Sequence, residues 1–152
     1  MSINIRPTSG PIGATVTGLD ITALSRGEAA ELYQAFLKHG VLVFKDMQLD
    51  IPGHIALSEL FGECDLHPIE ALRYKEEPRL IVLAANNGQP VAVDDPEADK
   101  VVGRIPWHTD HMYTDTPNRG GLLRAITIPE KGGNTGWIDT AGVYGALPYR
   151  IK

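Results

Sequence analysis

A histidine and an aspartate stand two positions apart in this chain, at His108 and Asp110. On an extended segment, residues at this spacing direct their side chains to the same face. One imidazole and one carboxylate on a common face are two of the three protein ligands of the facial triad that holds non-haem iron(II). That triad leaves three coordination positions open for small molecules. The pair is therefore a candidate metal site.

The pair alone leaves other roles open. Bare pairs of this kind more often serve on the surface or in the core. A zinc site usually draws on further histidines or cysteines at close spacing. Only His111 is near, and a residue three positions along a strand points elsewhere. The single cysteine, Cys64, lacks a CxxC partner and cannot form an internal disulfide.

Two helices and a strand precede this pair. Ser25 and Glu28 have the spacing of a capping box, and the helix that they open ends at Gly40. The spacing of its apolar residues predicts an inward face, formed by Ala29, Leu32, Tyr33, Phe36 and Leu37. The run Val41 to Phe44 predicts a strand covered on both faces. A second helix is expected from Asp50 as its cap to Gly62, with Ile55, Leu57, Leu60 and Phe61 inward.

The second half of the chain alternates apolar runs with turn formers. Residues 80–85 and 122–128 predict strands, and residues 141–147 predict a short helix ended by Pro148. Residues 86–104 are polar and rich in turn formers. A connection of this length without periodicity is typical of a functional loop or a disordered one.

Composition limits the classes of protein that fit. A chain of 152 residues suits one domain with a real core. Fourteen basic against nineteen acidic residues give a net charge of −5, which argues against a nucleic-acid or membrane-surface partner. The N-terminus has no signal-peptide pattern, and no apolar run is long enough to span a bilayer. A cytoplasmic protein is expected.

The surroundings of the pair carry a family resemblance. Trp107-His108-Thr109-Asp110 is followed by Thr116-Pro117, an apolar strand, Pro129, Gly132-Gly133-Asn134-Thr135 and Trp137. This order closely resembles the signature of the taurine/2,4-D dioxygenase family. Gly18 to Thr22, Val41 to Asp46 and Leu60 to Pro68 also match, so the resemblance spans about the whole chain.

The resemblance implies an Fe(II)- and 2-oxoglutarate-dependent dioxygenase. His108 and Asp110 would bind the iron, and the Thr135 hydroxyl would help to hold 2-oxoglutarate. His67 and Arg104 would contact the primary substrate. That substrate would be a small organic anion of the sulfonate, alkyl sulfate or aryloxyalkanoate type, hydroxylated by O2 with release of succinate and CO2.

Three further expectations follow from the same resemblance. A retained carboxylate at Asp110 implies hydroxylation rather than halogenation, because related halogenases leave this ligand position to a halide. Residues 86–104 would form a lid over the substrate. Trp107 and Trp137 would pack the core around the metal.

The implied fold is α+β and mostly β: a double-stranded β-helix of the jelly-roll type. Residues 1–152 would be its N-terminal portion with two flanking helices. The family's third iron ligand, a histidine, and its 2-oxoglutarate-binding arginine lie further downstream than Lys152. None of the remaining histidines matches that ligand, since His39 and His54 fall on predicted helices and His67 and His111 in loops.

Three interpretations of this length stay open. The favoured one is a piece of a longer enzyme. The others are a remnant of an interrupted reading frame and a small binding protein that completes its sheet by oligomerisation. The alternative function is therefore a non-catalytic metal- or ligand-binding fragment. Relatives form dimers and tetramers, so a homo-oligomer is also compatible with the resemblance.

Overall fold

A computed structural model describes residues 3–83, 106–128 and 130–152. The chain divides into two compact units, one formed by Met1–Phe61 with Leu123–Lys152 and the other by Gly62–Leu122. The expected lid, residues 86–104, and the candidate substrate contact Arg104 lie outside the described residues. Within these ranges the structure combines a three-stranded sheet with three α-helices.

The sheet of the first unit contains β1 (Asn4–Pro7), β2 (Ala14–Thr17) and β3 (Leu42–Phe44), in that order. Strands β1 and β2 form an antiparallel hairpin, whereas β2 and β3 pair in parallel. Parallel neighbours need a long crossover connection, usually a helix. The helix between β2 and β3 supplies it.

That helix, α1, spans Arg26–His39 and has the ends that the sequence predicts. The Ser25 hydroxyl accepts a hydrogen bond from the Glu28 N–H at 3.2 Å, and the Glu28 carboxylate accepts one from the Ser25 N–H at 3.0 Å. At the other end Gly40 adopts φ 69°, and its N–H donates to the Phe36 carbonyl. Glycine adopts this left-handed conformation without a steric penalty because it has no Cβ. The predicted helix end at Gly40 is confirmed.

The inward face of α1 is narrower than the sequence predicts. Leu32 and Ala35 are buried, but Leu37 is 57% exposed, so its expected inward position is wrong. Five residues advance a helix by roughly 500°, which leaves Leu37 about 140° around the axis from Leu32. Strand β3 was likewise expected to be covered on both faces, and this is also wrong, because Val43 is exposed at the edge of the sheet.

Helix α2 spans Ile51–Glu59. The Asp50 carboxylate caps it by accepting a hydrogen bond from the Gly53 N–H at 2.8 Å, as predicted, but the helix ends at Glu59 instead of continuing to Gly62. Ile55 and Leu57 are buried, as expected. With residues of the sheet and of α1 they make up the apolar core of the described ranges, which consists of Ala14, Val16, Leu32, Ala35, Ile55 and Leu57.

In the described residues, the strands predicted later in the chain do not pair with other strands. Of residues 80–85, those described contribute one isolated bridge, between Arg73 and Ile81. Residues 122–128 pair with no strand in the described ranges, and Ile126 and Ile128 are exposed. Apolar β-branched residues favour a strand only where a neighbouring strand accepts their hydrogen bonds. In the first unit, the Arg124 guanidinium instead donates a hydrogen bond to the Leu49 carbonyl.

The short helix near the end of the chain is confirmed. Helix α3 spans Thr140–Ala146, capped by the Asp139 carboxylate, which accepts from the Ala141 N–H at 3.1 Å. Pro148 follows directly after its C-cap residue, Leu147. Of the helices in the described ranges, none has both the length and the apolar character needed to cross a membrane.

Candidate metal centre

The candidate ligands lie in the second unit, on an irregular segment that leads into a turn. Asp110 begins this turn, and Thr114 closes it by donating both its backbone N–H and its hydroxyl to the His111 carbonyl, at 3.0 and 2.7 Å. Gly121 lies beside the carboxylate, since a Cβ at this glycine would stand 3.8 Å from Oδ2 of Asp110. Both candidate ligands remain accessible, with the side chains of His108 and Asp110 50% and 62% exposed.

The donor atoms of the pair are already close together. Nε2 of His108 lies 3.0 Å from Oδ1 of Asp110. Ligands to a divalent metal sit about 2.1 Å from the ion, so two ligands at a right angle in an octahedron lie roughly 3.0 Å apart. The observed separation therefore matches one edge of an octahedral site. The donor set, one imidazole and one carboxylate, suits iron(II).

The other ring nitrogen of His108 is anchored to the backbone. Nδ1 lies 2.7 Å from the Pro106 carbonyl, which can only accept, so Nδ1 is the donor. Metal-bound histidines usually donate their second N–H in this way, which sets the tautomer and orients the ring. The Pro106 carbonyl thus leaves Nε2, the nitrogen next to Asp110, as the one available to a metal.

The same two contacts raise the pKa of His108. The Pro106 carbonyl is the larger cause, the Asp110 carboxylate adds to it, and partial desolvation opposes both. An extra proton on Nε2 would lie between the imidazole and the carboxylate. The site therefore favours a cation at this point, and a metal ion would take the place of that proton.

A complete ligand set is not visible in the described part of the chain. Residues 3–83, 106–128 and 130–152 contain no group of three His, Cys, Asp or Glu side chains arranged to hold a metal ion. Thr135, the expected 2-oxoglutarate contact, belongs to the first unit and is exposed. It follows Gly132 and Gly133, which both adopt positive φ, at 77° and 68°.

His67, the expected substrate contact, lies in the same unit as the candidate ligands. Its ring packs edge to face against that of His111, with centroids 5.5 Å apart. Its Nδ1 accepts a hydrogen bond from the Ile69 N–H at 3.1 Å, and its carbonyl accepts one from Nε of Arg73 at 2.8 Å. The structure therefore brings His67 to the residue that directly follows Asp110.

Sequence reasoning missed His111 as part of this cluster. The alternation of an extended strand predicts that its side chain points away from the face shared by His108 and Asp110. The backbone at His111 is not extended but left-handed, with φ 54°, so the alternation of a strand does not apply. The one feature of the sequence that could have indicated a role for His111 is its position directly after Asp110.

The expectation that both tryptophans pack a core is wrong for the described structure. Trp107 and Trp137 are 64% and 55% exposed. A tryptophan side chain is buried only where other residues pack over it. In the described residues, neither indole ring is covered enough to be buried. Exposed tryptophans next to His108 and Thr135 nevertheless provide fluorescent reporters at these two positions.

Comparison with known proteins gives the family. The model of the family described as "Taurine catabolism dioxygenase TauD, TfdA family" matches residues 4–152. An (S)-phenoxypropionate/alpha-ketoglutarate dioxygenase from Sphingobium herbicidovorans is 28% identical over 99% of this chain and 50% of its own length. An alpha-ketoglutarate-dependent sulfate ester dioxygenase from Pseudomonas putida is 27% identical over 100% of this chain and 46% of its own.

Among solved structures, a taurine dioxygenase from Burkholderia xenovorans aligns with a TM-score of 0.45 at 34% identity, over 51% of this chain and 28% of its own. The chain spans about half the length of the curated relatives that it matches. The family match covers almost the whole sequence and includes the His108–Asp110 segment. The chain belongs to the TauD/TfdA family of taurine catabolism dioxygenases.

Proposed function

We propose that this chain supplies two of the iron ligands of an Fe(II)- and 2-oxoglutarate-dependent dioxygenase, His108 and Asp110. One observation carries the proposal: the 3.0 Å separation of Nε2 and Oδ1, with Nδ1 anchored on the Pro106 carbonyl. It occurs in a chain of the TauD/TfdA family. The reaction would convert a substrate C–H, O2 and 2-oxoglutarate into an alcohol, succinate and CO2.

The roles of the residues follow from their chemistry. His108 would bind the metal through Nε2 while its Nδ1–H stays on the Pro106 carbonyl, which prevents the ring from rotating away. Asp110 would bind through Oδ1 and offset one of the two positive charges of the ion. Bound iron would activate O2 for the coupled oxidation of 2-oxoglutarate and substrate. The exposure of both side chains leaves room for these small molecules.

Further contacts are proposed for the cosubstrate and the substrate. The Thr135 hydroxyl would donate a hydrogen bond to 2-oxoglutarate. His67 and Arg104 would contact an anionic substrate, for which an arginine provides a charge-assisted pair of donors. Residues 86–104 would close over it. These assignments are supported by the resemblance of the surrounding motifs, and for His67 also by its ring contact with His111.

The substrate class is a small organic anion: a sulfonate, an alkyl sulfate or an aryloxyalkanoate. Support comes from the relatives, whose names specify phenoxypropionate, sulfate esters and 2,4-dichlorophenoxyacetate. The family also supports residues 1–152 as the N-terminal part of a double-stranded β-helix. A homo-oligomer and the cytoplasmic location expected from the sequence stay predictions.

A non-catalytic fragment that binds a metal or ligand is the alternative function. Both proposals predict metal binding that depends on His108 and Asp110. They differ in turnover, since only the enzyme couples metal binding to decarboxylation of 2-oxoglutarate.

Measuring succinate formation distinguishes the enzyme from the non-catalytic fragment. The protein would be supplied with Fe(II), ascorbate, O2 and 2-oxoglutarate, together with phenoxypropionate, 2,4-dichlorophenoxyacetate, an alkyl sulfate or taurine. The enzyme predicts succinate in equal amount to hydroxylated product, lost in Asp110→Ala and kept in Asp115→Ala, an exposed aspartate of the same segment. Metal binding without succinate on any of the acids would establish the fragment and reject the enzyme.

A further inference from the structure

The second carboxylate oxygen of Asp110 is not held by the contacts that orient the candidate metal site. Oδ1 lies 3.0 Å from Nε2 of His108. Oδ2, by contrast, accepts no hydrogen bond from any residue that the structure describes. The terminal torsion of an aspartate has a broad energy minimum, so its carboxylate turns easily unless both oxygens are fixed. The orientation of this ligand therefore depends on what stands beside Oδ2.

Gly121 lies beside this oxygen, in the same unit as Asp110. A Cβ at position 121 would stand 3.8 Å from Oδ2, and apart from the adjacent residues no other described atom would lie within 4 Å of it. That distance is an ordinary van der Waals contact, so a Cβ fits. The Asp110 carboxylate is thus the first group that a longer side chain at this position would meet.

The backbone does not explain a glycine at position 121. Gly132 and Gly133 adopt positive φ, but Gly121 does not. Glycine is favoured where the chain adopts positive φ, and elsewhere it makes the unfolded chain more flexible than alanine would, at a cost in stability. What glycine provides here is the absence of a side chain next to the carboxylate.

A side chain at position 121 would act on the carboxylate according to its chemistry. Carboxylates that bind a metal are usually hydrogen-bonded in turn, and these outer partners orient them. A hydroxyl beside Oδ2 would donate such a hydrogen bond and hold Oδ1 towards the ion. A methyl group in the same place would offer no donor and would exclude water from Oδ2, which leaves a charged oxygen poorly solvated.

We infer that position 121 controls the orientation of the Asp110 carboxylate, and that Gly121 leaves this ligand able to turn. Gly121 is thus a positioning residue of the proposed metal site. The inference rests on the proposed function, because it requires Asp110 to bind the metal. A carboxylate that can turn binds an ion through one oxygen or through both. The number of coordination positions left for small molecules changes with it.

Metal titration of an isosteric pair of variants tests the inference. Threonine and valine have the same shape, but only Gly121→Thr places a hydroxyl near Oδ2. The titration uses Mn(II) in a calorimeter, without 2-oxoglutarate and O2. Gly121→Thr should bind the ion about 10- to 100-fold more tightly than Gly121→Val, the range typical of outer partners of a ligand. Gly121→Ala should stay within about twofold of the wild type, because an ordinary contact neither adds nor removes a partner of the carboxylate.

Gly145 of α3 provides the matched control, because it lies in the other unit and a Cβ there would meet no atom within 4 Å. Gly145→Thr and Gly145→Val should bind Mn(II) equally. Urea unfolding of each variant shows whether it is folded under the conditions of the titration. If threonine and valine at position 121 prevent folding, Gly121→Ser and Gly121→Ala replace them, and the serine variant should bind more tightly than the alanine variant.

Equal Mn(II) affinities of Gly121→Thr and Gly121→Val would overturn the inference, as would tighter binding by the valine variant. An alanine variant that binds as weakly as the valine variant would also overturn it, since glycine would then be needed for packing and not for the space beside Oδ2. If the wild type binds Mn(II) and Asp110→Asn does not, any of these outcomes rejects the inference and keeps the proposed ligand. A wild type that binds no Mn(II) rejects both.

Discussion

Nε2 of His108 and Oδ1 of Asp110 lie 3.0 Å apart, while Nδ1 of the same ring lies 2.7 Å from the Pro106 carbonyl. The imidazole is therefore anchored to the backbone through Nδ1, which places Nε2 next to the carboxylate. Ligands that are oriented before the metal arrives lose little freedom on binding it. All three groups of this arrangement, the Pro106 carbonyl, the His108 ring and the Asp110 carboxylate, lie within five consecutive residues.

Replacing Asp110 by Asn should weaken metal binding strongly. The amide has nearly the same shape but carries no charge, so it no longer offsets a positive charge of the ion. Loss of groups that merely orient a ligand costs about 10- to 100-fold in metal affinity, and loss of a ligand should cost at least about 100-fold. Calorimetric titration with Mn(II) measures the effect. Asp115→Asn is the matched control, and equal affinities in the two variants would exclude Asp110 as a ligand.

Ser25→Ala should lower the free energy of unfolding by about 1 kcal/mol. The substitution removes the hydroxyl that accepts from the Glu28 N–H at the start of α1. Urea unfolding followed by circular dichroism at 222 nm measures the change. Ser9→Ala, at an exposed serine of the β1–β2 connection, serves as the control and should leave the unfolding midpoint unchanged. An identical midpoint for both variants would show that the capping box does not stabilise the fold.

Leu32→Ala and Leu37→Ala should differ although both leucines lie on α1. Leu32 is fully buried, so its truncation leaves a cavity and should cost about 2 to 5 kcal/mol. Leu37 is mostly exposed, and its truncation should change stability by no more than about 0.5 kcal/mol. Urea unfolding of the two variants provides the comparison. Similar losses would mean that α1 faces the sheet differently from the arrangement described.

The Glu77 carboxyl should titrate well below an ordinary glutamate. Nε and Nη2 of Arg79 donate hydrogen bonds to its two oxygens at 2.8 and 2.7 Å, and the guanidinium lowers the pKa of Glu77 to about 2. Because the folded value is depressed, the stabilisation by this pair is complete above the usual pKa of about 4.5 and is lost as the pH falls from 4.5 towards 2. Side-chain carboxyl NMR shifts measure this titration.

Arg79→Ala should return the pKa of Glu77 towards its usual value and remove that pH dependence. Arg79→Lys keeps a positive charge but not the two-point contact, so an intermediate pKa is expected. A Glu77 pKa that is the same in the wild type and Arg79→Ala would show that the ion pair does not form in solution.

Local signals in the sequence were sufficient for both ends of α1 and for the start of α2. Ser25, Asp50 and Gly40 act on backbone groups within four residues of themselves, so the ends that they specify need no knowledge of the rest of the fold. The position of strand β3 is also predicted correctly, since Val41 to Phe44 is a continuous apolar run directly after the helix end at Gly40. The strands expected at 80–85 and 122–128 are not found in the described residues of these ranges, because a strand requires a partner that can lie far away in the chain and local apolar character does not identify one.

The sequence by itself determined the family, the capped helices and the pair His108 and Asp110, because each of these depends on residue types at short spacing. The tertiary structure decided the backbone conformation next to this pair and the burial of individual side chains. It placed His111 in a left-handed backbone with its ring against His67, a residue 44 positions earlier in the chain. It also buried Leu32 and exposed Leu37, since burial depends on what packs against a face and not on the hydrophobicity of the residue alone.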